Sequence, residues 1–527
     1  MNKILSKKDI FNILYNRHNG KFITLRELPY PNSFKDMDKA IKRVKEAIKC
    51  NEKIALIGDY DVDGVSATTI IRELFKALNY NIEWIIPNRF SDGYGISKKV
   101  IERVDANLII TVDNGIAAVE AGDICKDRGI DLIITDHHTV PDIIPKAYAI
   151  VNQKQKDCKF EYKEICGAQI AWYFSAALAK EMNINFNSKE LLSIVALAIV
   201  ADIMPLNGIN RAMLIAGLEY LKRSNRAFVK ALRARNFINS NLNSQTIAYY
   251  IAPLINSAGR LKSASIASEF LFTSSLEEAN MILDELIELN NQRKEIEKNL
   301  TKEAIRQVSP NSNIAIVWGE DWNEGVVGIV ASKVANHFKM PSIVLSCKDG
   351  ICKGSGRSWG ECNLYELASR AKEYYLKFGG HKSAIGVSFE KEKLNLIKNI
   401  LNIEASKICD KDYKDLSILG ILPFSQIDFE LLDILDKFEP YGEANPSPKF
   451  IAKAEVIEAS DVGESKEHRR YRLKDFTNRV VSAIEFRSNS RFNVGDRVLV
   501  TFTLSKNEYN GSVYINLYIQ EILLDRN

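Results

Sequence analysis

Five short apolar runs between residues 53 and 152, separated by amphipathic stretches, constrain the fold of this chain most strongly. The runs are rich in β-branched residues and almost continuously apolar, which is typical of strands covered on both faces. They are KIALIG (53–58), IEWIIP (82–87), LIITVD (108–113), DLIITD (131–136) and YAIVN (148–152). Helix candidates such as 65–79 and 115–129 lie between them. The alternation predicts an α/β domain with a doubly wound parallel sheet.

Changes in the residue pattern divide the whole chain into six predicted segments. We predict a helical segment at 1–50, the parallel-sheet domain at 51–275, a connecting helix at 276–309, a smaller α/β domain at 310–405, a linker at 406–445 and an all-β, OB-fold-like domain at 446–527. The connecting helix is expected because 276–306 contain neither proline nor glycine, although a merely solvated linker helix is an alternative. The all-β domain is expected because its apolar residues alternate with period two, and another small barrel also fits.

Bulk composition excludes several classes of protein. The 527 residues include 46% hydrophobic ones, and the net charge of +4 is too small to indicate a nucleic-acid partner without a local basic surface. Neither a signal peptide nor a membrane span is indicated, so we expect a cytoplasmic protein. The cysteines form no CxxC pair, which favours free thiols in a reducing compartment over disulfides or zinc. They are Cys50, Cys125, Cys158, Cys166, Cys347, Cys352, Cys362 and Cys409.

Acidic or imidazole side chains follow the predicted strands at their carboxyl ends. In open parallel sheets ligands bind beyond these ends, and neighbouring strands are only about 5 Å apart, so the side chains can converge. One aspartate alone after a strand is usually a turn former, and the prediction therefore depends on the recurrence of the pattern. The set comprises Asp59, Asp61, Asp63, Asp113, Asp136, His137 and His138, together with Asp202 at the end of an apolar helical run.

Carboxylate oxygens with one or two imidazole nitrogens are suitable ligands for Mn²⁺ or Mg²⁺. A tight cluster of like charges is costly unless a cation lies among them. Two ions that share a carboxylate, roughly 3.5–4 Å apart, would activate water for attack on a phosphoryl group. The sequence thus predicts a hydrolytic centre with two divalent ions at one edge of the sheet.

The order of the motifs resembles the DHH phosphoesterase superfamily. The motifs that carry this resemblance are DYDVDG (59–64), VDNG (112–115), DHH (136–138) and ADIMPL (201–206). Others narrow it to the RecJ family of single-strand-specific DNA exonucleases: NRFSDGYG (88–95), LINSAGRL (254–261), WNEGVVGIVASK (322–333), GSGRS (354–358), GGHKSAIG (379–386) and PYGEANPSP (440–448). The resemblance implies a DHH catalytic domain, a DHHA1 domain and an OB-fold-like domain.

The resemblance also implies roles for individual residues. The implied metal ligands are Asp61, Asp63, Asp113, His137 and Asp202, and the implied catalytic residues are Asp136, His138 and Asp59, with Asp59 at the rim of the site. The implied substrate-binding residues are Arg89, Asn256, Arg260, Ser355, Arg357 and His381. Guanidinium groups pair well with phosphate oxygens, and glycine-rich turns let backbone amides approach an anion. Ser355 and Arg357 are expected to hold a 5′-terminal phosphate.

The implied activity is Mn²⁺- or Mg²⁺-dependent 5′→3′ degradation of single-stranded DNA to mononucleotides, in DNA repair and recombination. The implied partners are single-stranded DNA, a single-strand-binding protein and a helicase. We expect a monomer that does not associate with a membrane. Basic residues around Tyr471 in the segment 468–472 predict a strand-binding surface, with a solvated loop as the alternative. Two rival functions are a small-substrate phosphoesterase of the same superfamily and a non-catalytic scaffold. Asn323 and Ala444 depart from the family pattern, which usually has histidine and glycine there.

Overall fold

The computed structural model describes residues 3–409, 417–463, 466–488, 491–509 and 512–525. The first helix, α1 (Lys7–Arg17), is capped by Ser6, and α2 (Met37–Lys49) follows it. The two helices belong to different cores: α1 buries Ile10 and Leu14 against the C-terminal domain, whereas α2 packs against the parallel sheet. The N-terminal segment therefore packs on both the sheet domain and the C-terminal domain.

The predicted parallel sheet is present. Its strands are β1 (Ile54–Ile57), β2 (Glu83–Ile85), β3 (Leu108–Val112), β4 (Asp131–Thr135) and β5 (Ala149–Val151). All neighbours are parallel, in the order β2-β1-β3-β4-β5. The prediction of strands covered on both faces is wrong for β2, because this edge strand leaves Glu83 exposed and Trp84 only partly buried.

Helices cover both faces of the sheet and extend the domain. They are α3 (Val62–Ala77), α4 (Lys98–Ile101), α5 (Val119–Asp127), α6 (Gly167–Glu181), α7 (Leu192–Ala201), α8 (Gly208–Arg223), α9 (Ala227–Ala234), α10 (Ser244–Thr246), α11 (Ala252–Leu261) and α12 (Ser265–Phe272). One π-helical turn (Ile247–Ile251) joins α10 to α11. The predicted connecting helix is α13 (Leu276–Gln307), which buries Leu283 and Leu286 and packs against α11.

The second α/β domain is built on a mixed sheet. Its elements are β6 (Ala315–Glu320), α14 (Val327–Phe338), β7 (Ser342–Lys348), β8 (Ile351–Arg357), α15 (Leu364–Ser369), β9 (Lys377–His381), β10 (Ala384–Glu390) and α16 (Leu394–Ile408). The strand order is β6-β7-β8-β10-β9, with only β6 and β7 parallel. The segment GGHKSAIG, expected as a glycine-rich turn, forms most of the β9–β10 hairpin.

The expectation of free thiols is wrong for four of the cysteines. Cys347 and Cys352 form a disulfide across the β7–β8 hairpin, whose antiparallel register places them opposite each other. A second disulfide joins Cys362 to Cys409, which follows α16. These pairings depend on strand register and helix packing, and their sequence spacing does not reveal them. The other four cysteines are free thiols.

The C-terminal domain contains the predicted β-barrel, and its core also includes a strand and a helix from the segment 406–445, which we predict as a linker. Its elements are β11 (Ile418–Ile421), α17 (Phe429–Lys437), β12 (Lys449–Val462), β13 (His468–Asp475), β14 (Val480–Glu485), β15 (Arg497–Tyr509) and β16 (Ser512–Leu524). Strands run in the order β12-β13-β14-β16-β15, and pairing of β15 with β12 closes an OB-type barrel. The expected hairpin turn at 509–512 agrees with Tyr509 pairing opposite Ser512, but residues 510 and 511 lie outside the described residues.

None of the described helices is both long and apolar enough to cross a membrane.

Candidate metal centre and strand-binding cleft

The loop between β1 and α3 is shaped by the aspartates themselves. Asp61 is the N-cap of α3, and its carboxylate accepts hydrogen bonds from the amides of Asp63 (3.0 Å) and Gly64 (3.1 Å). Gly64 is required by close approach, since a Cβ there would lie 2.6 Å from the backbone of Asp59. This compact loop turns the chain into α3 while it keeps three carboxylates at the strand end.

The metal ligands expected from the sequence converge at the carboxyl edge of the sheet. His137 Nε2 lies 3.1 Å from Asp113 Oδ1, 3.7 Å from Asp63 Oδ2 and 3.7 Å from Asp202 Oδ2. Asp63 is oriented by the first amides of α6, Gly167 (2.6 Å) and Ala168 (2.7 Å). Because these residues come from β3, β4, α3 and α7, only the folded chain brings them together.

Three overlapping groups of ligand atoms lie in and beside this acidic centre. Oxygen or nitrogen atoms within 4.8 Å of one another are offered by Asp63, His137 and Asp202 in one group, by Asp59, Asp61 and Asp113 in a second, and by Asp113, His137 and His138 in a third. The expectation that Asp59 stands at the rim is wrong, because this residue is only 2% exposed. The Gly64 backbone packs closely against Asp59.

The acidic centre is electrostatically incomplete on its own. Burial raises the pKa of Asp59, Asp63, Asp113 and Asp202, and neighbouring carboxylates raise the pKa of each further. Among the described residues, Asp59 Oδ1, Asp113 Oδ1 and Asp202 Oδ2 are buried oxygens that accept no hydrogen bond. Buried acceptors of this kind need a partner. Carboxylate oxygens with one imidazole nitrogen fit Mn²⁺ or Mg²⁺, which would supply that partner.

Asp136 and His138 form a separate pair beside this cluster. His138 Nδ1 lies 2.7 Å from Asp136 Oδ1, and Asp136 also accepts from the amide of Ile116 (2.8 Å). Burial alone would lower the pKa of His138, but the hydrogen bond and charge of Asp136 raise it to about 9. Asp136 therefore favours the protonated imidazole. Its Nε2 lies 3.4 Å from the Tyr94 hydroxyl, at the wall of a large cleft.

The cleft lies between the sheet domain and the second domain and has a volume of about 1190 Å³. Arg89 and His138 line it on one side, and Ser355, Arg357 and His381 on the other. These five residues are among the predicted catalytic and substrate-binding residues. One wall thus carries Asp136 and His138, which lie beside the acidic centre, and the facing wall carries hydroxyl, guanidinium and imidazole donors.

Four guanidinium groups lie near one another at this cleft. The pKa of Arg260 is lowered to about 10 by burial and by the nearby charges of Arg89, Arg293 and Arg357. Arg260 also donates to the carbonyl of Gly325 (2.7 Å), which links the two domains. A cluster of cations that repel one another is stabilised by an anion, and phosphate is an anion that guanidinium groups bind well.

Two predicted substrate-binding residues are placed differently from the rest. Asn256 accepts a hydrogen bond from the Val62 amide (3.2 Å), so it supports the loop of the acidic centre. Arg260 is partly buried and is not among the residues that line the cleft. Tyr60 and Tyr94 were not predicted from the sequence, although both belong to motifs that carry the family resemblance. Arg89 stacks on Tyr60 (4.1 Å to the ring centroid), and Tyr94 contacts His138.

Comparison with known proteins follows the same division of the chain. Residues 53–199 match the family model described as DHH family, N-terminal domain, residues 311–407 match the DHHA1 domain, and residues 420–521 match the RecJ OB domain. The single-stranded-DNA-specific exonuclease RecJ of Escherichia coli (strain K12) is 32% identical over 460 residues, which cover 81% of this chain and 79% of that protein. The chain belongs to the RecJ family.

Other relatives agree with this assignment. The RecJ protein of Bacillus subtilis (strain 168) is 32% identical over 93% of this chain, which spans only 64% of that relative's length. A crystal structure of RecJ from Thermus thermophilus in complex with Mn²⁺ has a TM-score of 0.84 and 25% identity, covering 100% of this chain and 80% of that one. A Mg²⁺ complex of RecJ from the same organism superposes with a TM-score of 0.79 at 24% identity, covering 100% of this chain and 78% of that one.

Proposed function

We propose that the protein is a metal-dependent exonuclease that degrades single-stranded DNA from its 5′ end to mononucleotides, in DNA repair and recombination. One observation carries the proposal: the buried acidic centre borders a cleft whose opposite wall presents phosphate-binding donors. Such a cleft places a phosphodiester between a cation site and cationic side chains. The RecJ relatives, named as single-stranded-DNA-specific exonucleases, support the same activity and substrate.

The acidic centre would hold two Mn²⁺ or Mg²⁺ ions through Asp61, Asp63, Asp113, His137 and Asp202, with Asp59 beside them. When bound, the ions supply an activated water and neutralise charge on the phosphoryl group. The remaining work falls to the protein's own side chains. His138, kept protonated by Asp136, donates from Nε2 to an oxygen of the scissile phosphate. Arg89, fixed against Tyr60, pairs with a neighbouring phosphate.

The polarity of degradation is assigned to the second domain. Ser355 and Arg357 lie on β8 across the cleft, and a Cβ at Gly328 would lie 3.3 Å from the Arg357 guanidinium and 3.4 Å from Ser355 Oγ. The absence of a side chain at Gly328 therefore leaves room for an anion beside both groups. A 5′-terminal phosphate held there, with His381 at its side, would place the adjoining phosphodiester towards the acidic centre.

The barrel contributes a surface for the rest of the strand. Tyr471, expected to stack on bases, is fully buried, because β13 alternates between basic residues facing out and apolar residues facing in. Phe486 is one of the exposed rings of the barrel, and its centroid lies 5.1 Å from that of His468 and 5.4 Å from that of Tyr518. Arg470 and Arg472 are exposed on β13. Exposed rings with cations nearby suit stacked bases and a phosphate backbone.

Partners and setting follow from the proposed substrate. An enzyme restricted to single strands needs another activity to open duplex DNA, so we infer that a helicase and a single-strand-binding protein act with it. The cleft and the barrel are both contained in one chain, which supports a monomer as the working unit. Chromosomal DNA as substrate supports action in the cytoplasm.

Nucleotide release from single-stranded DNA labelled at the 5′ or the 3′ end, with Mn²⁺ or with a chelator, tests the proposal. Early release of the 5′ label that requires Mn²⁺ is expected, with a blunt duplex left intact. Early release of the 3′ label would contradict the polarity. Rapid cleavage of a dinucleotide with the long strand untouched would instead favour a small-substrate phosphoesterase.

The 5′-end role of Arg357 has its own test. Arg357→Ala should lose the preference for a 5′-phosphorylated over a 5′-hydroxyl strand, measured as the ratio of kcat/KM values. The control is Arg370→Ala in the same domain, because Arg370 is half exposed and pairs with Glu366 (3.4 Å). An unchanged ratio in Arg357→Ala would remove this residue from end recognition.

A further inference from the structure

Three large side chains outside the cleft are unusually exposed for their size. Tyr249 is 74% exposed, Ile203 67% and Tyr250 61%. The tyrosines stand on the π-helical turn Ile247–Ile251, whose two end residues are buried, so that its middle faces outwards. Single-turn π-helices are rare and occur often at functional sites, and contiguous exposed apolar groups mark binding surfaces.

Ile203 and Tyr249 share a pocket of about 280 Å³. Its other walls are the end of α7 and the segment that includes Tyr441, Glu443 and Ser447. Hydrogen bonds hold these walls together, from the Leu206 amide to the Glu443 carbonyl (2.8 Å) and from Ser244 Oγ to the Tyr441 carbonyl (2.6 Å). We call this pocket, together with the neighbouring Tyr250, the tyrosine pocket.

The tyrosine pocket lies between the two regions assigned to DNA. Ile203 directly follows Asp202 of the acidic centre, and the segment ending at Ser447 leads into β12 of the barrel. A strand that extends from the acidic centre towards the barrel would pass this pocket. This continuity favours nucleic acid over a separate protein partner as the occupant.

The residues that line the tyrosine pocket favour the base of a nucleotide over its phosphate group. Apart from Glu443, the residues that line it carry no charge, so it offers no cation to a phosphate group. Aromatic and aliphatic faces suit a flat, unpaired base, and stacking on an aromatic ring tolerates any base. The arginine-lined cleft and the tyrosine pocket therefore recognise different parts of the strand.

We propose that the tyrosine pocket is a base-stacking subsite for unpaired nucleotides of the DNA strand between the scissile phosphodiester and the barrel. The subsite rests on the proposed exonuclease function and deepens it. It would hold the strand after each cleavage without regard to sequence. A dinucleotide held in the cleft would be too short to reach it.

The test uses the full chain with Tyr249→Ala and Tyr250→Ala. For each variant we expect KM for a long single strand to rise about 10-fold, a typical loss for one stacked base, while kcat/KM for a dinucleotide stays at the wild-type value. Tyr249→Phe keeps the ring and should retain the wild-type KM. Tyr30→Ala is the control, because Tyr30 is 79% exposed and lies outside the tyrosine pocket.

Wild-type KM on the long strand in both alanine variants would overturn the subsite, and would leave the patch to a protein partner. An equal loss on long and short substrates would also overturn it, since that result indicates general damage to the active site. A wild-type protein that fails to degrade the long strand would instead reject the proposed exonuclease function.

Discussion

Arg211 fastens the sheet domain to the barrel domain. It lies on α8, is 8% exposed, and donates to the carbonyls of Lys437 (3.0 Å) and Glu439 (2.6 Å) at the end of α17. Its guanidinium also lies over the ring of Phe22, 4.4 Å from the centroid. Removing this side chain would free two carbonyls and one ring contact at the point where the domains meet.

The expected cost of Arg211→Ala is about 3 kcal/mol, from two hydrogen bonds of a charged donor at about 1.5 kcal/mol each. Loss of the contact with the Phe22 ring would cost about 1 kcal/mol more. We take this cost to be offset, because the variant also removes Arg211 Nε, a buried donor without a hydrogen-bond partner among the described residues. This cost lowers the free energy of local opening at the junction between the two domains. The assay is therefore hydrogen exchange of the backbone amides in 437–446. A loss of about 3 kcal/mol should accelerate their exchange about 150-fold.

Arg223→Ala is the matched control on the same helix. Arg223 is 82% exposed and makes one ion pair with Glu219 four residues earlier (3.0 Å), a pair worth about 0.5 kcal/mol at most. In Arg223→Ala the backbone amides in 437–446 should exchange at the wild-type rates. If the amides in 437–446 exchange in Arg211→Ala at rates within about threefold of those in the control, the lost free energy is less than about 0.7 kcal/mol, and the role given to Arg211 would be refuted.

Three further predictions concern the junction and the acidic centre. Burial, with the charges of Arg211 and Arg17 nearby, lowers the pKa of His18 from 6.5 to about 4. The unfolded chain therefore binds a proton at His18 more readily than the folded chain, and the stability of the wild type should fall as the pH drops from 6.5 towards 4. The thermal midpoint of His18→Phe should fall less over that range, and parallel curves for the two proteins would contradict the assignment. Asp136→Asn weakens the support of His138, and kcat for nucleotide release should drop about 10- to 100-fold. Gly64→Ala would force a Cβ against Asp59, so stabilisation of the protein by Mn²⁺ in a thermal melt should disappear, whereas wild-type stabilisation would refute the close-packing argument.

The sequence predicted the sheet and the acidic centre because both depend on short-range patterns. Continuous apolar runs favour strands buried on both faces, which holds for the inner strands and not for the edge strand β2, and parallel strands bring their carboxyl ends to one edge. Asp113 and His137 could therefore be placed near each other before the fold was known, whereas Asp202, which ends a helix, was placed with them by the family resemblance. The depth of Asp59 could not, since it depends on the approach of the Gly64 backbone.

Long-range packing explains the remaining differences. The segment 468–472 predicts a strand-binding surface because basic residues surround Tyr471, and only barrel closure shows that Tyr471 faces the core. Likewise, nothing in the N-terminal pattern indicates that α1 packs against the C-terminal domain, 421 residues along the chain, where Lys7 pairs with Asp428 (2.5 Å). The disulfides similarly depend on partners brought together by the fold.

The central claim is that the acidic centre binds the divalent ions on which cleavage depends. Calorimetric titration of Mn²⁺ into the wild type and Asp113→Asn, with nucleotide release measured on the same samples, tests it most directly. We predict two ions per wild-type chain, loss of at least one in Asp113→Asn, and loss of cleavage with it. Equal binding and equal cleavage in the two proteins, or wild-type cleavage in the presence of a chelator, would contradict the account.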